Sequence, residues 1–229
     1  MSRFLLTLNR FAGPWPGEPI RTALDVVWRH LPRSFPLKLH TGPKSVELLE
    51  RPERFDVRHV PPELVTGDFS HVRLHGADGV ELSVSQSRDA LSRPTVTLSF
   101  PADVLPDGPS LRALFIELGL ALGADGGFVS DEDTLVRDDL YQQSLEVDAA
   151  KLPPSVFWMT WLGPAHLANV GDLTALTRLA RVDRLADGSA VVCLQDERFL
   201  PSDATHEQRR VAAEQALDLP RLRAQFPRG

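Results

Sequence analysis

An α+β fold with a mainly antiparallel sheet, two hairpin or meander units packed with three to four helices, is what this 229-residue sequence predicts. Three observations lead there. Segments of period-two alternation come in pairs joined by turn dipeptides, as in hairpins. Between them lie stretches with apolar residues at helical spacing. No Gly/Ser-rich linker divides the chain, so residues 1–229 read as a single domain, or as one domain of two similar halves, about 1–125 and 126–229.

The elements follow in order. Arg3–Asn9, RFLLTLN, reads as a first strand, ended by the breaker-rich AGPWPGEP. Pro19 suits the first turn of a helix in which Ile20, Leu24, Val27, Trp28 and Leu31 recur until Pro32 stops it, with Trp28 expected in the core. Residues 37–70 fit neither period clearly. HVRLH and VELSVSQ flank GADG, whose Asp78-Gly79 signals a hairpin, and TVTLSF at 95–100 is the third strand of that meander. Ser110 is placed to cap a helix with Leu111, Leu114, Phe115, Leu118 and Leu122 on one face and Gly123 at its end. SVFWMTW at 155–161 reads as a strand, and Asp172 as the cap of a short helix through Leu179. RVDRLA and SAVVCLQ form a hairpin about Asp187-Gly188, followed by a last helix at roughly 204–217.

Composition excludes several function classes. A net charge of −6 argues against a general binder of nucleic acid or anionic membrane, both of which need basic surface. Cys193 is the single cysteine, so there is neither an internal disulfide framework nor a Cys-rich metal site, and a reducing compartment is expected. The run Phe4–Leu8 is too short for a signal-peptide core, and no stretch reaches the about 20 apolar residues of a membrane span. The expectation is a soluble, cytoplasmic protein without cofactor or metal.

Motifs for catalysis are missing. GADGG at 123–127 is no phosphate loop and follows a helix, which suits a C-cap and turn. Cys193 lies within a strand pattern that buries it. His71 and His75 flank Arg73 in HVRLH, but on a strand they stand roughly 13 Å apart, too far to grip one ion. His166 has no evident partner, and His206 falls in the exposed first turn of the last helix. These histidines, with nearby carboxylates, are the residues an enzyme would have to use.

Charge is polarised instead. Asp125, Asp131, Glu132, Asp133, Asp138, Asp139, Glu146 and Asp148 are opposed by Arg137 alone, in an order that fits no EF-hand. Such a run is either a solvated loop or a surface that steers toward a basic partner. Trp158 and Trp161, three apart on one strand, must point to opposite faces. Trp158 is expected inside beside Val156, with Trp161 the candidate for the outer face, either covered by a helix or serving as a binding anchor.

The C-terminal third carries a resemblance. The aromatic strand VFWMTWL, the hairpin RVDRLADGSAVVCLQDERF and the helix beginning within LPSDATHEQRRVAAEQAL are similar to bacterial polymorphic-toxin immunity proteins, specifically the immunity protein 52 family. At the hairpin this chain has DGS in place of paired glycines. The resemblance implies a non-enzymatic protein that neutralises a cognate toxin, typically a nuclease delivered by contact-dependent or type VI secretion, by occluding its active site or substrate cleft. It further implies toxin contact near Asp131, Glu132, Asp133, Asp138 and Asp139, with Trp161 as anchor. The partner is then the toxin, with no nucleic acid and no membrane, and the chain a monomer or homodimer. The rival readings are a structural component of a secretion or phage-like machine and a His/carboxylate enzyme.

Overall fold

A computed structural model describes residues 3–31, 38–41, 44–47, 71–86, 93–137, 147–197 and 204–227. The architecture is α+β with antiparallel strand pairing, as the sequence predicts. The chain forms two compact units, residues 3–106 with 110–124, and residues 107–109 with 125–229.

In the first unit the strands are β1 (Arg3–Asn9), β2 (Lys38–Thr41), β3 (Lys44–Glu47), β4 (His71–His75), β5 (Glu81–Ser85) and β6 (Thr95–Pro101), in spatial order β3-β2-β4-β5-β6-β1. The register explains why alternation was readable. Phe4, Leu6 and Leu8 stand opposite Phe100, Leu98 and Val96, and Leu82 and Val84 continue the same apolar face toward Leu74 and Val72. All ten are buried, while the other face carries Thr7 against Thr97 and Arg3 donating to Ser99 Oγ at 2.7 Å. The turn joining β4 to β5 places Asp78 and Gly79 at φ 56° and 73°, the left-handed pair that the Asp-Gly dipeptide announced.

Helices α1 (Pro19–His30) and α2 (Gly108–Leu122, its body from Ser110 in this unit) contribute Ile20, Leu24, Val27, Leu111, Leu114, Phe115 and Leu118 to the core. Glu117 of α2 holds both Arg29 and His30 of α1, each at 2.7 Å. Two expectations need correction. Trp28 is only half-buried, lying at the margin of the α1 stripe. The second helix starts at Gly108, so Ser110 lies inside it and is not its cap. Arg10 closes the far end of α2, its Nη1 donating to the Gly123 carbonyl at 2.6 Å, where helix carbonyls lack partners.

The second unit has strands β7 (Gly126–Asp131), β8 (Met159–Leu162), β9 (Arg181–Arg184) and β10 (Ala190–Cys193) in the order β7-β8-β10-β9. Its helices are α3 (Glu132–Arg137), α4 (Pro164–Val170), α5 (Ala204–Ala216) and α6 (Leu219–Gln225). Strand β7 corrects the reading of 123–127 as a turn alone: Gly123 ends α2 with φ 65°, and the chain extends from Gly126. The expected helix from Asp172 is a 3-10 turn at Leu176–Arg178, after Asp172 Oδ1 accepts from the Thr174 N–H and hydroxyl. The core joins Val156, Leu162, Ala190, Val192 and Leu194 to Leu173, Leu176, Ala213, Leu217, Leu219 and Leu222.

Gly163, between β8 and α4, has φ −69° and ψ 171°, a backbone that any residue adopts. Its demand is for space, because a Cβ there would overlap the Asp125 carbonyl. Gly163→Ala is therefore expected to destabilise the protein by about 1–3 kcal/mol through overpacking alone, measured as a lower urea midpoint at unchanged m-value.

Candidate functional site

The six residues expected to face a partner do not lie together on one surface. Asp131, the last residue of β7, is fully buried and caps α3, its Oδ1 accepting the Thr134 N–H at 2.7 Å. Its Oδ2 is also buried, with no hydrogen bond. Asp131 is thus a cap and not a surface carboxylate, which corrects the expectation for it. Glu132 and Asp133 in the first turn of α3 are exposed, where the helix dipole favours negative charge. Val136, one turn along, is 74% exposed and shares their side of the helix. Asp138 and Asp139 lie outside the described residues.

Trp161 is corrected as well. It is completely buried, in register with Val191 of β10 and Gly127 of β7. Trp158 is equally buried, as expected, and its indole N–H donates to the Gln195 carbonyl at 2.9 Å. Phe128 stacks on Phe157 with centroids 4.5 Å apart. The aromatic concentration around residue 158 therefore builds the interior, and the exposed part of the proposed surface is Glu132, Asp133 and Val136.

Sequence reading missed the most elaborate polar site in this unit. Glu214 on α5 accepts from Arg210 Nη1 at 3.0 Å, from Arg223 Nη2 of α6 at 3.2 Å and from the hydroxyl of Ser155. Arg210 also reaches Ser155 Oγ at 3.2 Å and forks onto Glu207 at 2.5 and 2.8 Å, while Arg223 donates to the Pro154 carbonyl at 2.6 Å. Ser155, Arg210 and Glu214 are buried. A cue existed, since Arg210, Ala213, Glu214 and Leu217 fall at i, i+3, i+4 and i+7 and share one stripe with two apolar residues. Ser155 is fully covered, so no substrate reaches its hydroxyl and the cluster ties the helices down instead.

The histidines separate. His75 Nδ1 lies 3.4 Å from Glu81 Oε1, while the side chain of His71 lies outside the described residues. His206 is buried, not exposed as expected, because the first turn of α5 faces inward there. His166 on α4 is buried and donates from Nε2 to the Ala149 carbonyl at 2.8 Å. Burial pushes its pKa below 6.5, outweighing hydrogen bonds to the Ala149 and Trp161 backbone and the attraction of Asp125 and Asp148. Among the described residues no three His, Cys, Asp or Glu side chains gather as a metal site. Cys193 is buried. No helix among those residues is long and apolar enough to cross a membrane.

With this geometry in hand, comparison with known proteins locates the fold. No family model and no curated protein sequence matches the chain. Among solved structures, the Pseudomonas aeruginosa T6SS protein PA0821 superposes with a TM-score of 0.64, over 95% of this chain and 72% of its own, at 15% sequence identity. The likeness is one of fold.

Two outcomes follow. Removing the carboxylate in Glu214→Ala leaves buried Arg210 and part-buried Arg223 without their shared counter-ion and is expected to cost about 3–5 kcal/mol, whereas half-exposed Glu207→Ala costs about 1 kcal/mol or less; equilibrium urea unfolding of both variants checks the ratio. For His166, the unfolded chain takes up a proton near pH 6.5 and the folded chain only below that. Its contribution is therefore complete above pH 6.5 and lost as the pH falls from there toward the folded value. Unfolding free energy measured from about pH 8 to about pH 5 should decline more steeply for the wild type than for His166→Gln.

Proposed function

We propose that this chain is an immunity protein that binds a cognate secreted toxin and neutralises it stoichiometrically, acting as an inhibitor and not as an enzyme. The observation that carries this reading is the fold likeness to a T6SS protein along nearly the whole chain. The type VI secretion named for that neighbour is also a delivery route of the toxins that the resemblance of the C-terminal third implies. The exposed pair Glu132 and Asp133 with Val136 beside it supplies the contact surface, joined by Asp138 and Asp139 from the acidic run. A nuclease presents a basic cleft to its polyanionic substrate, and carboxylates offered to that cleft both occlude it and speed association. The site of action is then the cytoplasm. Trp161 has no part in this surface.

A component of the secretion machine itself is the second reading, since the name of the structural neighbour fits that role equally. Co-expression separates the two. Rescue of cells from a toxic product of the neighbouring gene, with a one-to-one complex on purification, supports immunity. Binding to a machine component without rescue replaces it.

Within the immunity reading, the double reversal Glu132→Lys/Asp133→Lys is expected to slow association with the toxin by about tenfold and to flatten its dependence on salt. Stopped-flow association at two ionic strengths measures both, and an unchanged rate removes α3 from the contact surface.

A further inference from the structure

Among the described residues, the hairpin of β9 and β10 leaves one edge of the second unit's strand order open, and that edge is complementary to itself. Strand β9 is terminal, paired only with β10 among the described strands. Which of its backbone groups are free follows from the turn. Leu185 N–H donates to the Ser189 carbonyl at 2.9 Å, so 185 and 189 form a hydrogen-bonded pair. Alternation then makes Asp183–Val191 and Arg181–Cys193 hydrogen-bonded pairs. The other side of β10 agrees, since Leu194 N–H donates to Trp158, so the even-numbered residues there face β8. Hence Val182 and Arg184 direct their N–H and C=O groups away from the sheet.

The side chains along this edge read Arg181, Val182, Asp183. Reversed, the same triplet places Asp opposite Arg, Val opposite Val and Arg opposite Asp. Arg181 and Asp183 lie on one face, joined at 3.0 Å, with side chains 52% and 24% exposed. Val182, on the other face, packs half-buried against the apolar core.

We propose that β9 is a self-association edge, through which two copies of this chain pair antiparallel about a two-fold axis at Val182. Val182 of each copy exchanges two backbone hydrogen bonds with Val182 of the other. Arg181 and Asp183 of each meet their opposites across the seam in a non-hydrogen-bonded pairing, where side chains approach most closely. Natural edges protected by lysines repel their own kind. An Arg-x-Asp edge instead attracts a reversed copy of itself, as an isologous interface requires. The seam is short and buries far less than the about 1,200 Å² of a stable dimer, so association is reversible and concentration-dependent. Nothing in this inference depends on the immunity reading.

Sedimentation velocity of the full chain, over a concentration series reaching about 1 mM, tests it. The wild type is expected to pass reversibly from monomer to dimer. Arg181→Asp and Asp183→Arg each set like charges across the seam and should weaken the dimer about tenfold, while the double exchange R181D/D183R recreates a complementary edge and restores it. Val182→Pro removes an outward N–H, a change edge strands tolerate, together with part of the side chain's packing on the core, and should abolish the dimer with the circular dichroism spectrum retained. A wild type that stays monomeric throughout overturns the proposal, as does a dimer indifferent to both the charge exchange and the proline. Should the proline variant fold poorly, the three charge variants still decide.

Discussion

Two guanidiniums and one hydroxyl converge on the Glu214 carboxylate, and the second unit is organised around that convergence. Arg210 shares a helix with Glu214, Arg223 belongs to the next helix, and Ser155 lies in the segment that delivers the chain into β8. Burying such charges is costly unless each is paired and hydrogen-bonded. Here Glu207 takes up the rest of the Arg210 fork and the Pro154 carbonyl accepts from Arg223 Nη2, while Arg223 Nε is buried without a hydrogen bond, and Ala213, Leu217 and Leu222 supply apolar surroundings in which the bonds that are made strengthen. Fixing residues 154–156 fixes where β8 begins, and β8 sets the register of β7 on one side and β10 on the other.

Much of the fold was legible because the first unit obeys the simplest rule of sheets. Its strands have one apolar and one polar face, so alternation survives in the sequence, and Asp78-Gly79 and Gly123 mark turn and helix end by chemistry few other residues share. The second unit hides more. Val191, Val192 and Cys193 are all buried because both faces of β10 are covered, and such strands lose their period. Strand β7 is masked by glycines that look like turn residues, and α4 by its opening Gly-Pro and mere seven residues.

The expected partner residues were less legible than the fold, for a reason visible at Asp131. A carboxylate in an acidic run is indistinguishable by composition from its neighbours, yet position decides between a buried cap and a solvated charge. The run Asp131-Glu132-Asp133-Thr134 contains the cue, an acid three residues before the amide it caps, but reading it requires knowing that a helix starts there. Trp161 fails as an exposed anchor for a related reason. The strand expected over 155–161 begins only at Met159, so Trp158 lies just before β8 and Trp161 within it, and in a strand buried at every residue either direction means the interior. Enrichment of tryptophan at interfaces says nothing about a particular tryptophan until its covering is known.

The two surfaces of the second unit differ in the physics that would engage them. Strand β7, which leads into α3 with Glu132, Asp133 and Val136, stands at one end of the order β7-β8-β10-β9, and β9 at the other. Three inter-strand steps of about 4.8 Å put roughly 14 Å between them. Pairing through β9 therefore joins two copies at the end of that order opposite β7, the strand that leads into the acidic turn. The acidic turn, as a proposed contact surface, would act through charge of one sign and weaken steadily as salt screens it. The proposed edge would act through backbone hydrogen bonds and paired opposite charges, whose attraction salt reduces only in part. Because the sites are separate, self-association would double the number of acidic surfaces per particle without altering any one of them. A bivalent inhibitor gains only against a target that presents two sites within reach of both; against a single cleft each copy binds as it would alone.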